Sequence, residues 1–392
     1  MKTALVIGAG LAGAALVRSL TRLGAQVHWL DAAAGPAAGA SALPVGMLSP
    51  HITAQPTPLS RLTTWGVAHT RAELERLLPP GQGWLATEVD NLGHDAGRHL
   101  AALVRPGALV AAWHAEAQAT GRLGTHWNTP VARLRLAANG APPGWEALDA
   151  EGQVLARADA VFVAAAHGSL PLLREAADLD EHALPLRPVK GQLSYGPLDS
   201  APDAERPQRQ DGVFVPCYIE DPPGPHAPAR LWAMGSTYTR GTDDCAVTEA
   251  DHARNALSLA HLNPAAAARM HRQQASGALL GWAGVRCASL DRLPLVGDLP
   301  DVARLATLLG QPPFHRRKPA AHELPRLPGL YVLTALGSRG LTLASLCAEH
   351  LARQAMGTPT LSHGEAPDGA LWAALDPARF LWRRLRRQPQ LT

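Results

Sequence analysis

Short apolar runs alternate with amphipathic stretches through the first part of the chain, and this pattern indicates strands covered by helices. An apolar run at residues 3–7 leads into a helical stretch at 14–23 and then into a second apolar run at 26–30. Helical periodicity returns at residues 57–78 and 106–120. The chain therefore begins with a predicted β-α-β unit of an α/β protein.

The pattern changes after residue 188. Between residues 188 and 284, extended segments are broken by Pro and Gly, with one helical stretch at 249–259, which predicts a second domain of mainly antiparallel sheet. The other predicted elements are a strand at 126–135, a hairpin of 145–148 with 154–156, a buried strand at 160–164, strands at 293–297 and 329–335, a helix at 341–356 and an exposed or disordered insertion at 300–328.

The first β-α-β unit contains the spacing Gly-x-Gly-x-x-Gly between its strand and its helix. Gly8 permits a sharp turn, Gly10 lets a pyrophosphate approach the backbone, and Gly13 lets helix and strand pack closely. The N–H groups of the helix N-terminus then face the phosphates. Asp31, after the second apolar run, is placed to accept a hydrogen bond from a ribose hydroxyl. These features predict a dinucleotide site, with an Ala- and Gly-rich packing turn as the alternative.

Composition narrows the class of protein. With 46% hydrophobic and 18% charged residues the chain is predicted to be globular, and its net charge of +3 permits an anionic substrate without requiring nucleic acid. The four cysteines are scattered, which favours a reducing cytoplasm over a disulfide framework. The 17 histidines show no metal-ligand spacing, so no metal is expected. No apolar run is long enough for a membrane helix, so no membrane partner is expected.

Several further segments resemble the D-amino-acid-oxidase-like family of FAD-dependent oxidoreductases, which includes glycine and sarcosine oxidases. Within that family they are most similar to the FAD oxidoreductase domain of bifunctional tRNA 5-methylaminomethyl-2-thiouridine biosynthesis proteins. The segments that carry the resemblance are Gly39-Ala40-Ser41, Gly46-Met47-Leu48-Ser49-Pro50-His51, Lys190-Gly191-Gln192-Leu193, Gly284-Val285-Arg286-Cys287, Asp291-Arg292-Leu293-Pro294-Leu295-Val296-Gly297, Gly337-Ser338-Arg339-Gly340-Leu341-Thr342 and Ala374-Leu375-Asp376-Pro377-Ala378-Arg379-Phe380.

The resemblance implies an α/β (α+β) fold of the D-amino-acid oxidase and glutathione reductase type, in which a Rossmann-like FAD-binding domain is interleaved with an antiparallel-sheet substrate domain. It leaves a basic tail at residues 376–392, either a solvated amphipathic helix or an RNA-contacting one. The implied segments are residues 1–50, 96–187 and 285–375 for the FAD-binding domain, and residues 51–95 and 188–284 for the substrate domain.

The resemblance also implies an FAD-dependent oxidoreductase acting on CH–NH groups (EC 1.5). The implied cytoplasmic reaction oxidises the carboxymethylaminomethyl group on the wobble uridine of tRNA to aminomethyluridine and glyoxylate. A small-molecule amine or amino-acid oxidase of the glycine, sarcosine or D-amino-acid type is the alternative, and a non-catalytic flavin-binding protein is a third class. Because Met1 leads directly into the flavin domain, no methyltransferase activity is expected here, and a separate methyltransferase is implied for the next step.

Arg286 is the expected cation for the substrate carboxylate, because a guanidinium pairs with a carboxylate through two charge-assisted hydrogen bonds. A salt-bridged structural arginine is the alternative. Arg339 and Tyr218 are further catalytic candidates, although Tyr218 and Tyr238 are equally consistent with ordinary sheet aromatics. Cys287 is expected to be a buried thiol without a flavin linkage. By resemblance, the cofactor contacts are Gly8, Ala9, Gly10, Leu11, Ala12, Gly13, Asp31, Ser41, Gly46, Met47, Val131, Gly337, Ser338, Arg339, Gly340 and Leu341, with a plain helix-start turn as the alternative for the last five.

Overall fold

The computed structural model describes residues 1–93, 96–137, 144–224, 227–309, 319–359 and 367–387. The strands are β1 (Thr3–Ile7), β2 (Gln26–Leu30), β3 (Gly46–Leu48), β4 (Trp84–Asn91), β5 (Gly97–Val104), β6 (Leu123–His126), β7 (Arg133–Leu136), β8 (Trp145–Leu148), β9 (Val154–Ala158), β10 (Ala160–Val163), β11 (Leu186–Pro197), β12 (Gln208–Gln210), β13 (Gly212–Ile219), β14 (Arg230–Gly235), β15 (Thr239–Arg240), β16 (Leu280–Ser289), β17 (Leu295–Pro300) and β18 (Arg326–Thr334). The helices are α1 (Leu11–Arg22), α2 (Pro58–Leu77), α3 (Pro106–Ala119), α4 (Ser169–Ala177), α5 (Glu249–Leu262), α6 (Pro264–Ser276), α7 (Val302–Leu309), α8 (Gly340–Met356), α9 (Gly369–Ala373) and α10 (Arg379–Arg387).

A six-stranded sheet in the order β17-β18-β10-β1-β2-β6 forms the centre of the fold. Its neighbouring strands run parallel, except that β17 is antiparallel to β18. Helices α1, α3 and α8 bury one face, and α4 with the three-stranded sheet β7-β8-β9 buries the other. Strand β1 is accordingly apolar on both faces, as parallel strands between two layers are. The predicted Rossmann-like architecture is confirmed.

Local sequence explains where the helices near the site begin. Helix α2 starts with Thr57, whose hydroxyl accepts a hydrogen bond from the Ser60 backbone while the Ser60 hydroxyl accepts one from the Thr57 backbone. Helix α3 has Pro at its first position, where a missing N–H costs nothing. The predictions of helices at 57–78, 106–120 and 341–356 are therefore confirmed to within a residue or two.

The second sheet has nine strands, with β15-β11-β14-β13-β12-β4-β5-β3 in order and β16 paired with β11. Strands β11 and β16 pair in antiparallel register from Leu186 opposite Ser289 to Tyr195 opposite Leu280. Helices α5 and α6 pack over this sheet around Phe214 and Trp232. The antiparallel sheet predicted for residues 188–284 is confirmed, although one pair, β12 with β4, is parallel.

One predicted domain boundary does not follow the sheets. The boundary at residue 96 would put β5 with the FAD-binding domain, but β5 pairs with β4 along its full length, from Gly97 opposite Asn91 to Val104 opposite Trp84. Strand β3, inside the predicted segment 1–50, also pairs with β5. Both strands belong to the nine-stranded sheet because strand pairing depends on partners distant in sequence.

Two other predicted elements need correction. The strand predicted at residues 126–135 is wrong, because β6 ends at His126, Asn128 has a φ of 52°, and β7 begins only at Arg133. The insertion predicted at residues 300–328 contains helix α7, whose Leu305 is buried. The basic segment His315-Arg316-Arg317-Lys318 lies outside the described residues. None of the helices in the described ranges combines the length and apolarity needed to cross a bilayer.

The C-terminal segment is anchored to the body of the protein rather than extended from it. Helix α10 buries its first three residues, including Arg379 at 5% exposure. The Arg379 guanidinium donates to both carboxylate oxygens of Asp291 and to the carbonyl of Leu293. The predicted basic tail is thus an amphipathic helix as far as residue 387, with its later arginines exposed.

Candidate active site

A cavity of about 1290 Å³ lies between the two large sheets. It is lined by residues at the C-terminal ends of the parallel strands β1, β2 and β10, by the first residues of α1 and α8, and by β11, β12 and β16. Open α/β sheets bind ligands outside the carboxyl ends of their strands. The cavity is larger than a typical drug-sized pocket, so it has room for a dinucleotide and a second molecule.

The glycine motif lies at one end of this cavity. Gly8 has a φ of +107°, and a Cβ there would lie 2.5 Å from the carbonyl oxygen of Ala164. The backbone N–H groups of Ala9 and Ala33 donate to the two carboxylate oxygens of Asp31, at 2.6 and 2.8 Å. Asp31 is therefore held rigidly at the cavity wall, and each oxygen retains a lone pair for a ligand hydroxyl.

Gly13 differs from the other motif residues because it faces away from the cavity. A Cβ on Gly13 would overlap the carbonyl oxygen of Gly8 and lie 3.3 Å from the indole nitrogen of Trp29. Gly13 therefore has the predicted packing role. It does not make the predicted cofactor contact, because it is absent from the cavity lining. A Cβ on Gly10, by contrast, would lie 3.1 Å from the Ser41 hydroxyl, on the open side.

Two helix N-termini meet at the cavity. The Leu11 N–H at the start of α1 donates to the Ser41 hydroxyl at 3.0 Å, and Gly340 at the start of α8 lies so close that a Cβ would sit 3.0 Å from Leu11 Cδ1. A Cβ on Gly46 of β3 would likewise lie 2.8 Å from Leu341 Cδ1. Neither helix has an acidic residue in its first turn, so both dipoles leave positive potential at the cavity.

The remaining predicted cofactor contacts also reach the cavity. The residues concerned come from the β1–α1 turn and the start of α1, from the segment between β2 and β3 and from β3 itself, from the β6–β7 connection, and from the turn before α8 with its first residues. Those that line the cavity are Ala9, Leu11, Ala12, Ser41, Gly46, Met47, Val131, Gly337, Ser338, Arg339, Gly340 and Leu341.

Arg286 of β16 lies on the cavity wall with its guanidinium held flat against β11. It donates to the carbonyls of Val189, Lys190 and Thr237 and to the hydroxyl of Ser236. A Cβ on Gly191 would overlap the guanidinium, so the Lys-Gly-Gln segment requires glycine at this position. These four hydrogen bonds use four of the five N–H groups of an arginine.

No carboxylate pairs with Arg286 among the described residues, and burial lowers its pKa. The Tyr238 ring lies 4.1 Å from the guanidinium carbon and is 55% exposed. The expected two-bond fork to a substrate carboxylate is therefore modified, because four N–H groups of Arg286 are used and the Tyr238 side chain also hydrogen-bonds the guanidinium. The Tyr238 hydroxyl oxygen accepts from the guanidinium, and its own proton is suited to donation to a ligand carboxylate.

Tyr218 is not brought to the cavity. Its side chain is 2% exposed within the nine-stranded sheet, and its hydroxyl donates to Glu220, which also pairs with Arg105. Burial raises the pKa of Tyr218, so its proton is tightly held. The structure thus contradicts the expectation that Tyr218 is catalytic and favours the alternative of a sheet aromatic.

Arg209 and Arg339 line another part of the cavity, and Arg292, which is not part of the lining, acts electrostatically on His51 and Arg339. We call Arg209, Arg292 and Arg339 the arginine cluster. Burial, together with all three guanidinium groups, lowers the pKa of the adjacent His51 to about 4. Arg339 has a buried Nε without a partner among the described residues. Of these groups the sequence indicated only Arg339, because Arg209 lies on a three-residue strand without any recognisable motif.

Cys287 lines the cavity but is a poor nucleophile. It is 5% exposed, and burial raises its pKa to about 11. The Thr334 hydroxyl donates a hydrogen bond to the sulfur at 3.8 Å and opposes this rise, but burial is the larger effect. A thiol with so high a pKa remains protonated near neutrality, and the thiolate is the reactive form. The geometry supports the expectation of an unlinked, buried thiol.

Comparison with known proteins agrees with this architecture. Over residues 3–103 and 85–354 the chain matches the family described as FAD dependent oxidoreductase (DAO). The fold is similar to glycine oxidase from Geobacillus kaustophilus (TM-score 0.70, 19% identity, 97% of this chain and 99% of that one). It is also similar to L-proline dehydrogenase from P. horikoshii (TM-score 0.64, 14% identity, 97% and 98%).

Two relatives carry the name tRNA 5-methylaminomethyl-2-thiouridine biosynthesis bifunctional protein MnmC. The protein from Verminephrobacter eiseniae is 37% identical over 91% of this chain and 61% of its own length. The protein from Paracidovorax citrulli is 37% identical over 91% of this chain and 58% of its own length. The chain therefore spans about three-fifths of these relatives. By its match over most of its length, the chain belongs to the FAD dependent oxidoreductase family, whose cofactor is FAD.

Proposed function

We propose that this chain oxidises the C–N bond of a carboxymethylaminomethyl group on the wobble uridine of tRNA. The observation that carries the proposal is the 37% identity, over 91% of the chain, to proteins named for tRNA 5-methylaminomethyl-2-thiouridine biosynthesis. The cavity supports it, because Arg286 lines the cavity, has no acidic partner among the described residues and is suited to a glycine-like carboxylate. The proposed setting is the cytoplasm, where tRNA is modified.

The residues present fit FAD. Two adjacent helix N-termini without acidic residues suit its phosphates and the electron-rich edge of its ring, and Asp31 suits a ribose hydroxyl. When bound, FAD would accept the hydride, which carries the electron pair of the C–H bond broken at the carbon next to the nitrogen. The proposed contacts are Gly8, Ala9, Gly10, Leu11, Ala12, Asp31, Ser41, Gly46, Met47, Val131, Gly337, Ser338, Arg339, Gly340 and Leu341.

The chain's own contribution is to orient and desolvate the substrate. The positive charge of Arg286 and the O–H of Tyr238 bind the carboxylate of the substrate, which fixes the α-carbon relative to the rest of the cavity. That α-carbon loses a hydride and the nitrogen loses a proton, leaving an imine. Water adds to the imine and releases glyoxylate, and the aminomethyl group stays on the uridine. No side chain has to be a strong base, because the amine enters as its neutral form.

The proposal is tested with purified holoenzyme under anaerobic conditions. Substrates are tRNA bearing carboxymethylaminomethyluridine, the same tRNA without the modification, and free glycine and sarcosine. Bleaching of the oxidised flavin absorbance and release of glyoxylate are measured. We expect flavin bleaching and glyoxylate release with the modified tRNA, and neither signal with unmodified tRNA, glycine or sarcosine.

The family's amine oxidases give the competing outcome. Bleaching by glycine or sarcosine, with none by modified tRNA, would assign the chain to small-molecule oxidation. Absence of flavin from a carefully purified preparation would instead indicate a non-catalytic role. Methyl transfer by this chain is a separate question, and the prediction that it performs none is tested by adding S-adenosylmethionine to the product tRNA.

A further inference from the structure

Arg339 is among the proposed FAD contacts, but Arg209 and Arg292 belong neither to those contacts nor to the carboxylate site at Arg286. Arg209 and Arg339 both line the cavity, whereas Arg292 is exposed. The cluster therefore extends from the cavity wall to the exposed surface of the protein. Its members come from β12, from the turn before β17 and from the residue before α8, so the fold brings together charges that are between 47 and 130 residues apart in sequence.

Like charges held together without counter-ions destabilise the folded protein. Burial lowers the pKa of Arg209, and the Arg339 guanidinium lowers it further. Burial and Arg292 lower the pKa of Arg339, although Tyr238 opposes this. Among the described residues no carboxylate within 4 Å pairs with any of the three, and Asp211, which also lines the cavity, makes no ion pair with Arg209.

The fold fixes the cluster in place. Arg209 donates through its Nε to Asn91 and through one terminal nitrogen to the Ser49 hydroxyl and the Pro50 carbonyl. Its other terminal nitrogen has no hydrogen-bond partner in the described part of the chain, so it is available to a ligand. Arg292 follows Asp291, which Arg379 and Arg383 hold in place. His51 stays neutral at pH 7 because its pKa is about 4, so it adds a hydrogen-bonding group but no charge.

We propose that Arg209, Arg292 and Arg339 form a phosphate subsite at the cavity mouth that binds one backbone phosphodiester of an RNA substrate. This inference rests on the proposed function, in which the reacting base is part of a polynucleotide. Guanidinium groups recognise phosphate oxygens through paired, charge-assisted hydrogen bonds. Every nucleotide carries a phosphate, so a uridine whose base enters the cavity brings one to its mouth. The subsite positions the RNA backbone and reads no base.

The test measures binding without turnover. The probe is an unmodified RNA hairpin of anticodon stem-loop type, with uridine at the wobble position, bound to holoenzyme and followed by fluorescence anisotropy over a range of NaCl concentrations. For Arg209→Gln we expect about tenfold weaker binding at low salt and a salt-dependence slope reduced by about one. Arg209→Lys, which keeps the charge, should restore the slope.

Arg206→Gln is the matched control. Arg206 precedes Arg209 by three residues but already pairs with Glu88 and Glu205, so its removal should leave the RNA slope unchanged. Because Arg209 also bonds the loop at Ser49, its variant could fail to fold. In that case Arg292→Gln, at an exposed position, tests the same cluster through the slope of the salt dependence of RNA binding.

Hairpins with a single neutral methylphosphonate linkage identify the phosphate. We expect one linkage beside the wobble uridine to matter. A neutral linkage there should weaken RNA binding by the unaltered protein about tenfold, and it should not weaken RNA binding by Arg209→Gln any further. If no linkage behaves in this way, the subsite does not exist. Loss of FAD from Arg209→Gln but not from Arg206→Gln would instead assign the cluster to the cofactor and overturn the proposal. Since no oxidation is measured, a failure here is distinct from a failure of the proposed reaction.

Discussion

Arg286 illustrates how the surroundings of one side chain change what it can do. Its sequence context predicted a carboxylate-binding arginine, but four of its N–H groups are bound to backbone carbonyls and a serine. Such a guanidinium is fixed in orientation, which favours precise binding, and it keeps its charge because arginine stays protonated even when burial lowers its pKa. The consequence is a pre-oriented cation with the Tyr238 side chain hydrogen-bonded to it.

Arg286→Leu should raise the substrate concentration needed for half-maximal flavin reduction by about tenfold or more, because a hydrogen bond to a charged group is lost. The FAD content should stay the same, since Arg286 faces the substrate side of the cavity. Anaerobic stopped-flow reduction measures the first quantity and the visible spectrum the second. Arg240→Leu, an exposed arginine on the neighbouring strand β15, is the control. Unchanged kinetics for Arg286→Leu would remove it from the site.

The residue scale also shows where sequence reasoning was incomplete. Gly8 and Asp31 were predicted from local spacing, and both line the cavity. Tyr218 was predicted to be catalytic from its place on a strand, but that position does not show which face of the sheet its side chain occupies. In the structure the side chain is buried beside Glu220. Arg209 was missed because nothing within its own segment indicates the cavity.

At the scale of elements, helix α8 connects the site to the outer layer. Its N-terminus faces the cavity, while His350 near its C-terminal end stacks on Trp372 of α9 with ring centroids 3.6 Å apart. Burial lowers the pKa of His350 to about 4 from an ordinary value of 6.5. The folded protein thus holds this imidazole neutral in the range where an unfolded chain would protonate it.

Because the unfolded chain binds more protons at His350 between pH 6.5 and about 4, the free energy of unfolding should fall as the pH falls through this window. His350→Phe keeps an aromatic ring against Trp372 and removes the proton site. Its melting temperature should therefore fall less steeply with pH than that of the unaltered protein. Exposed His322→Phe is the control and should leave the slope unchanged. Equal slopes for all three proteins would contradict the prediction.

At the scale of the whole molecule, the C-terminal helix is tied to the turn that carries Arg292. Burial opposes ionisation of Asp291, but hydrogen bonds from Arg379 and Arg383 lower its pKa to about 2. Arg379 is itself 5% exposed, so the pair is largely shielded from solvent. A contact between residues 88 positions apart thereby connects the chain's last helix with the mouth of the cavity.

Asp291→Asn should lower the free energy of unfolding by about 3 kcal/mol, because it leaves the buried Arg379 charge without its counter-ion. Chemical denaturation measures this quantity. The control is Arg384→Gln, which removes an arginine of the same helix whose pairing with Asp180 is exposed and long, at 3.5 Å. That variant should change stability by well under 1 kcal/mol. Similar losses in both variants would contradict an anchoring role.

The sequence by itself determined the dinucleotide motif, the helices of the first layer and the antiparallel character of the second sheet, because each depends on spacing within a short segment. The tertiary structure alone decided that β5 belongs to the second sheet, that Tyr218 is buried away from the cavity and that Arg209 joins Arg339 and Arg292 beside His51. These outcomes depend on strand register and on packing between segments far apart in the chain. Local pattern carries no information on either.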